Sequence, residues 1–406
     1  MTEMPGEVLA DLYDPLLFRA GRQHITWAQL RKSGPVVRIE SPTGGAFWAV
    51  LGYETAVRVL SDHRSFSSSK GMRLGADPVA TNAASGKMLV ITDPPRHGMI
   101  RRIISSAFTP RMVTRLRQTM REVAVEVIEE ALEQQNCDFA DTAARLPVSI
   151  ICDMLGVPRD DWGFMLDRTK TAFGVGSLND GPADERARAA HVDLFVYYRE
   201  LMQQRRREPR EDIVSALVHG VIDGTPVTDE EVVLNCNGLI SGGNETTRHA
   251  TIGGLLAFIE HPGQWDLLQR DPAVLPSAIQ EILRYTTPAM HVMRTVAEQV
   301  TLGPVTLAPD DRVAIWLGSA NRDETVFTDP DRFDLSRSPN RHLTFAYGPH
   351  FCIGGSLATA ELTIMFEELS RRVARAELAG PVVRMASNLI GGYEQLPVRL
   401  SRRADR

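Results

Sequence analysis

Long stretches of the chain repeat apolar residues every three to four positions, which is the period of an amphipathic helix. These stretches predict helices over 97–107, 111–134, 142–155, 184–207, 229–260, 273–285 and 355–373. Earlier in the chain, the β-like runs 36–39 and 46–51 flank the turn residues 42–45 and predict a hairpin. Beyond residue 286 the pattern changes to short strands and turns, as at 313–316. The sequence therefore predicts a mainly α fold with small β-sheets.

The chain shows no internal repeat, low-complexity tract or glycine-serine linker that would divide its 406 residues. We therefore predict a single domain over 1–406. It comprises a β-rich N-terminal part at about 34–60, a helical body at about 90–286, and a β/turn region with a cysteine loop at about 287–406.

Composition excludes several classes of protein. A hydrophobic fraction of 43% with 24% charged residues is ordinary for a globular protein, and a net charge of -6 argues against a generally basic nucleic-acid binder. The longest uncharged apolar run, 252–259, is far shorter than the ~20 residues that span a bilayer. The N-terminus is acidic and lacks the pattern of a signal peptide. We predict a cytoplasmic protein with no membrane or nucleic-acid partner.

Four cysteines, Cys137, Cys152, Cys236 and Cys352, are scattered without close pairing, which argues against a disulfide framework and a zinc site. Cys352 differs from the others because it lies in a glycine-rich turn directly before the helical pattern 356–373. Backbone N–H groups and a helix N-terminus favour a thiolate there, and a thiolate could bind a metal. Taken alone, an isolated cysteine is more often a small buried packing residue.

The residues around this cysteine resemble the cysteine signature of the cytochrome P450 family. The matching positions are Phe345, Gly348, His350, Cys352, Gly354, Leu357 and Ala358. One position departs from the signature, since Ala346 stands where the family usually has glycine. The resemblance implies that Cys352 ligates the iron of haem b and donates electron density to that iron, which favours O–O cleavage.

The long pattern 229–260 contains two adjacent glycines, Gly242 and Gly243, although a glycine inside a helix costs about 1 kcal/mol relative to alanine. They suggest a distorted helix or the close approach of something bulky. Leu239, Thr246 and Ala250 share their helix face by spacing. A close helix crossing would also explain the glycines.

The same stretch is similar to the acid-alcohol motif of the P450 central helix, with Glu245 and Thr246 at the acid and alcohol positions. The resemblance implies that Gly242 and Gly243 form an oxygen pocket over the haem. It also implies that Thr246 controls protonation of bound oxygen and that Glu245 helps to supply protons. A merely solvated Glu245 is the alternative.

Further matches imply supporting roles. Glu281 and Arg284 could be a simple i, i+3 surface pair, but with Arg332 they resemble the structural Glu-x-x-Arg pair and the arginine that completes it. The basic residues at the family's haem-propionate positions are His97, Arg101, Arg294 and His350. The resemblance covers nearly the whole chain and implies a triangular-prism fold with haem between the central helix and the cysteine helix.

The resemblance also implies a substrate pocket and partners. The pocket residues would be Leu239, Gly243, Met290, His291, Val292 and Ile390, with parts of 68–90 and 160–180. A packed structural role is the alternative for His291. Dioxygen would be the co-substrate, and electrons would come from NAD(P)H through a ferredoxin reductase and a ferredoxin. Seven arginines without an acid between Arg96 and Arg121 are candidates for the ferredoxin docking patch, including Arg102, Arg111, Arg115 and Arg117.

We therefore predict a haem-thiolate monooxygenase that hydroxylates or epoxidises a small organic molecule, in secondary metabolism. The substrate could be a polyketide, a terpenoid or an amino acid held on a carrier protein. Two alternatives stay open: the same fold with an atypical oxidation such as aryl coupling or nitration, and a non-catalytic haem-binding sensor. An intact Glu245–Thr246 pair favours catalysis.

Overall fold

The computed structural model describes residues 11–107, 109–134, 136–173 and 185–404. Helices form most of it: α1 Pro15–Arg19, α2 Gln23–Ser33, α3 Tyr53–Ser61, α4 Pro78–Ala84, α5 Arg96–Ser106, α6 Pro110–Gln134, α7 Phe139–Leu155, α8 Trp162–Phe173, α9 Glu185–Arg207, α10 Ile213–Val218, α11 Asp229–Glu260, α12 Pro262–Arg270, α13 Leu275–Thr286, α14 Leu317–Ala320 and α15 Gly355–Arg372. Each helix predicted from periodicity is present, with ends within about one turn of the prediction. The mainly α prediction is confirmed.

The strands are short: β1 Val36–Ser41, β2 Gly45–Val50, β3 Phe66–Ser67, β4 Asn136–Asp138, β5 Val221–Ile222, β6 Thr225–Pro226, β7 His291–Val296, β8 Val300–Leu302, β9 Val305–Leu307, β10 Arg312–Trp316, β11 Val373–Leu378, β12 Val383–Arg384, β13 Tyr393–Gln395 and β14 Pro397–Arg402. The predicted hairpin is present as the antiparallel pair β1–β2, with Val36 opposite Val50. It continues into a sheet of order β1-β2-β10-β7-β3, in which β10 runs parallel to β2.

Helix α11 is the longest in the described part of the chain, with 32 residues, and it packs against α7, α9, α13 and α15. A capping box fixes its start, since Thr228 and Glu231 exchange side-chain and backbone hydrogen bonds. Its interior from Ala250 to Phe258 is buried on every side. A helix buried all round is positioned by its neighbours, so α11 is a rigid support for the residues along it.

No helix in the described ranges has the length and apolarity needed to cross a membrane. The single-domain and cytoplasmic assignments stay predictions.

Candidate active site

A largely apolar cavity lies between α11 and the cysteine loop with α15. Its α11 side is formed by Leu239, Gly242, Gly243, Thr246 and Ala250. The opposite side is formed by residues of the cysteine loop and of α15, namely Phe345, Cys352, Gly354, Leu357, Ala358, Glu361 and Leu362. The predicted shared face of α11 is thus directed into one cavity, opposite the predicted ligand loop.

Backbone hydrogen bonds shape the cysteine loop. The Cys352 N–H donates to the carbonyl of Phe345 at 2.9 Å, and the Gly355 N–H donates to the carbonyl of Cys352 at 3.3 Å. Gly348 has a φ of 72°, and a Cβ there would collide with the backbone of Leu60, so both conformation and space require glycine. The loop is therefore held against α3 while its cysteine is presented to the cavity.

Ala346 adopts a φ of 58°, the left-handed region that favours glycine. The departure from the family signature noted in the sequence therefore falls on a strained backbone position.

Cys352 is an exposed residue, and it lines the cavity. Burial raises the pKa of its thiol, while the Gly354 N–H and the charge of Arg101 act in the opposite direction. Burial is the largest of these influences on the free thiol. A bound metal ion would reverse this balance because it stabilises the anionic sulfur.

Basic residues lie at one side of the cavity: His97, Arg101 and His350 line it, and Arg294 lies close to both histidines without lining it. His97 and Arg294 are buried, and the rings of His97 and His350 are 4.1 Å apart. Burial, followed by the charges of Arg101 and Arg294, lowers the pKa of His97 to about 4. Burial, followed by Arg294, lowers the pKa of His350 to about 3. Both imidazoles are therefore neutral hydrogen-bonding groups at pH 7.

Arg294 makes no ion pair within 4 Å in the described ranges, and Asp93 is the carboxylate whose charge acts on it from further away. The Nη1 of Arg294 donates to the carbonyl of Met293 at 2.7 Å, and no carboxylate pairs with it there. Burial lowers its pKa to about 10. A buried cation that no carboxylate contacts directly is costly, so this side of the cavity suits a ligand that carries negative charge.

The adjacent glycines Gly242 and Gly243 of α11 both line the cavity but differ in how closely other residues approach them. A Cβ on Gly242 would meet no atom within 4 Å, whereas one on Gly243 would lie 3.3 Å from Cγ1 of Ile151 on α7. Helix α11 is continuous through both. The sequence predicted either a distorted helix or the close approach of another group. The structure shows the close approach, of α7 to Gly243, and a helix that is not interrupted there.

Thr246 lines the cavity, and its hydroxyl donates to the carbonyl of Gly242 at 2.7 Å. This bond engages the hydroxyl proton, so the oxygen lone pairs stay available to accept a hydrogen bond from the cavity. Thr246 thus places a hydroxyl on the α11 side of the cavity.

Glu245 is buried and lies outside the residues that line the cavity. Its Oε2 is 3.3 Å from Nε2 of His249, and its Oε1 is 3.6 Å from Nη1 of Arg248. Burial alone would raise the pKa of Glu245, but His249 and Arg248 lower it on balance. Because the Tyr393 N–H donates to Nδ1 of His249, the neutral ring carries its proton on Nε2, facing the carboxylate. Glu245 is thus an anion held by its own helix.

The Glu-x-x-Arg pair is present, but its third member differs from the prediction. Glu281 and Arg284 are fully buried and make two bonds of 2.8 Å. Arg337 completes the network, with Nε 3.1 Å from Oε2 of Glu281. The Arg332 side chain is 63% exposed and lies 3.8 Å from Asp334.

The assignment of Arg332 was therefore wrong for a conformational reason. The backbone of the 329–334 turn directs the Arg332 carbonyl inward, where it accepts from Arg284 at 3.1 Å and from Arg337 at 2.9 Å. The Arg332 side chain consequently projects into solvent, and Arg337, five residues later, contacts Glu281 in its place.

The residues predicted to line the substrate pocket do not all lie at one cavity in the structure. Leu239, Gly243 and Val292 line the cavity, but Met290 and Ile390 line a second cavity behind it. His291 lines neither and is wrong as a pocket residue. The part of the 160–180 region from 174 onward lies outside the described residues.

His291 is a packed histidine with both nitrogens engaged. The Leu74 N–H donates to Nε2 at 3.0 Å, and Nδ1, which then carries the proton, donates to the Asn388 carbonyl at 3.0 Å. Successive residues of a strand point to opposite faces, so Val292 faces the cavity and His291 faces away.

The sequence reasoning missed Glu361, which lies on α15 and lines the cavity. It is buried, its Oε2 has no hydrogen-bond partner in the described part of the chain, and burial raises its pKa to about 8. The signal was an acid on the apolar face of a predicted helix, between Ala358 and Leu362.

Comparisons with known proteins agree with this arrangement. The family model described as Cytochrome P450 matches residues 172–372. The chain is 35% identical over 406 residues to cytochrome P450 NovI of Streptomyces niveus, covering 98% of each. It is 32% identical over 399 residues to linalool 8-monooxygenase of Pseudomonas putida, covering 96% of this chain and 98% of that protein.

Among solved structures, P450 OxyD, involved in the biosynthesis of vancomycin-type antibiotics, superposes with a TM-score of 0.89 and 34% identity. The match covers 97% of this chain and all of that one. The chain therefore belongs to the cytochrome P450 family. It is a P450 monooxygenase, an oxidoreductase of the class that uses haem b, dioxygen and electrons derived from NAD(P)H.

The residues present fit haem b, as three independent features show. The cavity has apolar walls on both sides for a flat ring, and the thiol of Cys352 faces into it. Arg101, His97 and His350 line one side of the cavity and the buried Arg294 lies beside the two histidines, so this side supplies the cationic groups that two carboxylates require. Fold and cofactor predictions are thus confirmed, whereas individual residue roles remain to be tested.

Proposed function

We propose that the protein hydroxylates or epoxidises an apolar small molecule of secondary metabolism at a haem b ligated by Cys352. The observation that carries the proposal is the cavity itself, in which the thiol faces Thr246 and the apolar face of α11. Bound haem supplies dioxygen activation and transfer of one oxygen atom to the substrate. OxyD, which functions in antibiotic biosynthesis, supports the metabolic setting.

The ligand assignment is tested by the reduced carbon monoxide complex. The wild-type spectrum should show the red-shifted band of thiolate ligation, and Cys352→Ser should lose it. Cys137→Ser is the matched control, since Cys137 is half-buried on β4, away from the cavity, and should leave the band unchanged. A histidine-type spectrum from intact wild-type protein would exclude Cys352.

The proposed role of Thr246 is to hold a proton and an ordered water at its hydroxyl, beside the site of oxygen chemistry. Thr246→Ala should therefore retain haem and substrate binding but divert electrons into hydrogen peroxide. Thr251→Ala is the matched control, because Thr251 makes the same i−4 hydroxyl-to-carbonyl bond but lies outside the cavity. Equal coupling of electrons to product in wild type and Thr246→Ala would remove Thr246 from proton handling.

The proposed role of Glu245 is that of a buried carboxylate that supplies protons one residue before Thr246. Because it is held by Arg248 and His249, proton exchange requires its side chain to turn toward the cavity. Glu245→Gln should slow turnover and enlarge the solvent isotope effect while leaving substrate affinity unchanged. An unaltered isotope effect would leave Glu245 with a structural role only.

Members of the family receive electrons from redox partners such as a ferredoxin and its reductase. Ion pairs already engage much of the predicted arginine patch: Arg96 binds Glu231, Arg111 binds Glu211, Arg115 binds Asp153, and Arg121 binds Glu367 and Glu368. Arg102 and Arg117 are exposed and have no ion pair in the described part of the chain.

We therefore place the ferredoxin contact at Arg102, which follows the cavity residue Arg101 on α5. Arg102→Glu should slow reduction by an acidic ferredoxin at low salt and leave peroxide-driven turnover intact. Arg111→Glu should have a smaller effect, because Glu211 already offsets that charge. Equal reduction rates for wild type and Arg102→Glu would place docking elsewhere.

The substrate is sought by optical titration of the holoenzyme with free acids, terpenoids, polyketide intermediates and carrier-bound aminoacyl groups. The apolar lining predicts that productive ligands displace water and shift the haem spectrum, and that the product gains one oxygen atom. A coupled or nitrated product would contradict the hydroxylation or epoxidation proposed here.

A further inference from the structure

A second cavity of about 260 Å³ lies behind the wall of the haem cavity. It is enclosed by α2, the C-terminal end of α11, the end of α13 and the β12–β13 hairpin. The segment 288–292 separates the two cavities, because Pro288 and Val292 line the first while Met290 lines the second. The second cavity is thus a separate compartment that the proposed function does not use.

Buried polar atoms without partners border this cavity. Trp27 is 1% exposed and Gln23 is 7% exposed. Within the described residues, Nε1 of Trp27, Oε1 of Gln23 and Nδ1 of His24 make no hydrogen bond. Three unpaired polar atoms together are costly unless a ligand or water satisfies them.

The hydrogen-bonding character of this group follows from the chemistry of its members. The Trp27 indole can only donate. Burial, followed by the charges of Arg322 and Arg384, keeps the pKa of His24 well below its usual value, so the ring is neutral. Gln23 Nε2 lies 3.5 Å from His24 Nε2, and in either amide orientation this pair leaves one free donor and one free acceptor. Donors therefore outnumber acceptors.

The lining carries two arginines, Arg322 and Arg384, and two carboxylates, Asp331 and Glu260. Arg322 is offset by Asp331 at 2.6 Å. Arg384 donates to the Tyr393 hydroxyl at 3.1 Å, and no carboxylate pairs with it in the described ranges. Glu260 also borders the cavity, but it is exposed at the rim. The cavity therefore offers the Arg384 guanidinium, which has no ion pair in the described ranges, and the unpaired indole N–H of Trp27.

We propose that this cavity is a binding site for a small organic carboxylate. Arg384 and the Trp27 N–H take the carboxylate, and the Gln23–His24 pair supplies one further donor and one acceptor. The rings of Phe18, Trp27 and Tyr285, which line the cavity, take the apolar part of the ligand. The proposal goes beyond the oxidation reaction and does not depend on Cys352 or Thr246.

The probe for this site is 4-bromobenzoate, titrated calorimetrically into the holoenzyme with its haem cavity blocked by a saturating azole. One site per chain is expected. Arg384→Gln should weaken binding roughly tenfold or more, because a charge-assisted hydrogen bond is lost. The uncharged 4-bromobenzamide should bind correspondingly more weakly to wild type. Arg399→Gln is the matched control, since that exposed arginine binds only Asn136 in the described contacts and lies outside the cavity.

A crystal of the same complex should show the anomalous signal of bromine in the second cavity, which keeps the test independent of variant folding. Arg384→Lys, which retains the charge, should bind between wild type and Arg384→Gln. The proposal is overturned if 4-bromobenzoate does not bind, if Arg384→Gln binds it equally, or if the cavity holds water only while bromine lies elsewhere.

Discussion

Replacing Arg337 by glutamine tests which arginine supports the buried Glu281. The Glu281 carboxylate is fully buried, and Arg337 is 10% exposed. The substitution removes the Nε bonds to Glu281 and the donations to the carbonyls of Thr328, Asp329 and Arg332. Breaking a buried ion pair costs about 3–5 kcal/mol, and because Arg284 still pairs with Glu281 we expect about 3 kcal/mol.

Arg332→Gln is the matched control at the position that the sequence favoured. That side chain is 63% exposed and 3.8 Å from Asp334, so its loss should cost less than about 1 kcal/mol. Thermal unfolding of both holoenzyme variants, followed by circular dichroism and by haem release, should show a drop of several degrees for Arg337→Gln alone. Equal or greater destabilisation by Arg332→Gln would refute the network described here.

Three further substitutions test other parts of the structure. Burial raises the pKa of Glu361 to about 8, so the stability of the wild type should fall as pH rises from about 4.5 to about 8. Glu361→Gln cannot ionise, so the difference in unfolding free energy in its favour should grow over that window by up to about 5 kcal/mol. Denaturant unfolding at pH 5 and pH 8 measures this difference. Ala346→Gly should stabilise the protein by roughly 0.5–1 kcal/mol in the same assay, since it relieves a left-handed alanine while loosening the unfolded chain. Gly254→Ala should cost about 1–3 kcal/mol, because its Cβ would lie 2.6 Å from Phe366 Cζ and 2.9 Å from Ile282 Cγ2. A difference between Glu361→Gln and wild type that does not change with pH would contradict the first argument. Lower stability of Ala346→Gly than of wild type would contradict the second, and unchanged stability of Gly254→Ala would contradict the third.

Local sequence determined the long helices and the cysteine loop. The 229–260 pattern has a Thr228–Glu231 capping box at its start, so local interactions already specify where α11 begins. Short elements such as α3 and α12 were missed, because nine residues give too few turns for a period to stand out. The motif around Cys352 identified the family because glycine positions such as Gly348 encode backbone shape directly.

Side-chain partners across long separations were decided only by the tertiary structure. Arg332 and Arg337 have the same chemistry, and only the fold of the 329–334 turn directs one outward and the other to Glu281. The family resemblance placed Met290 and Ile390 in the substrate pocket, yet packing directs both to the second cavity. Periodicity and motifs report interactions between near neighbours in the chain, whereas the direction of a side chain in a turn depends on the elements packed against it.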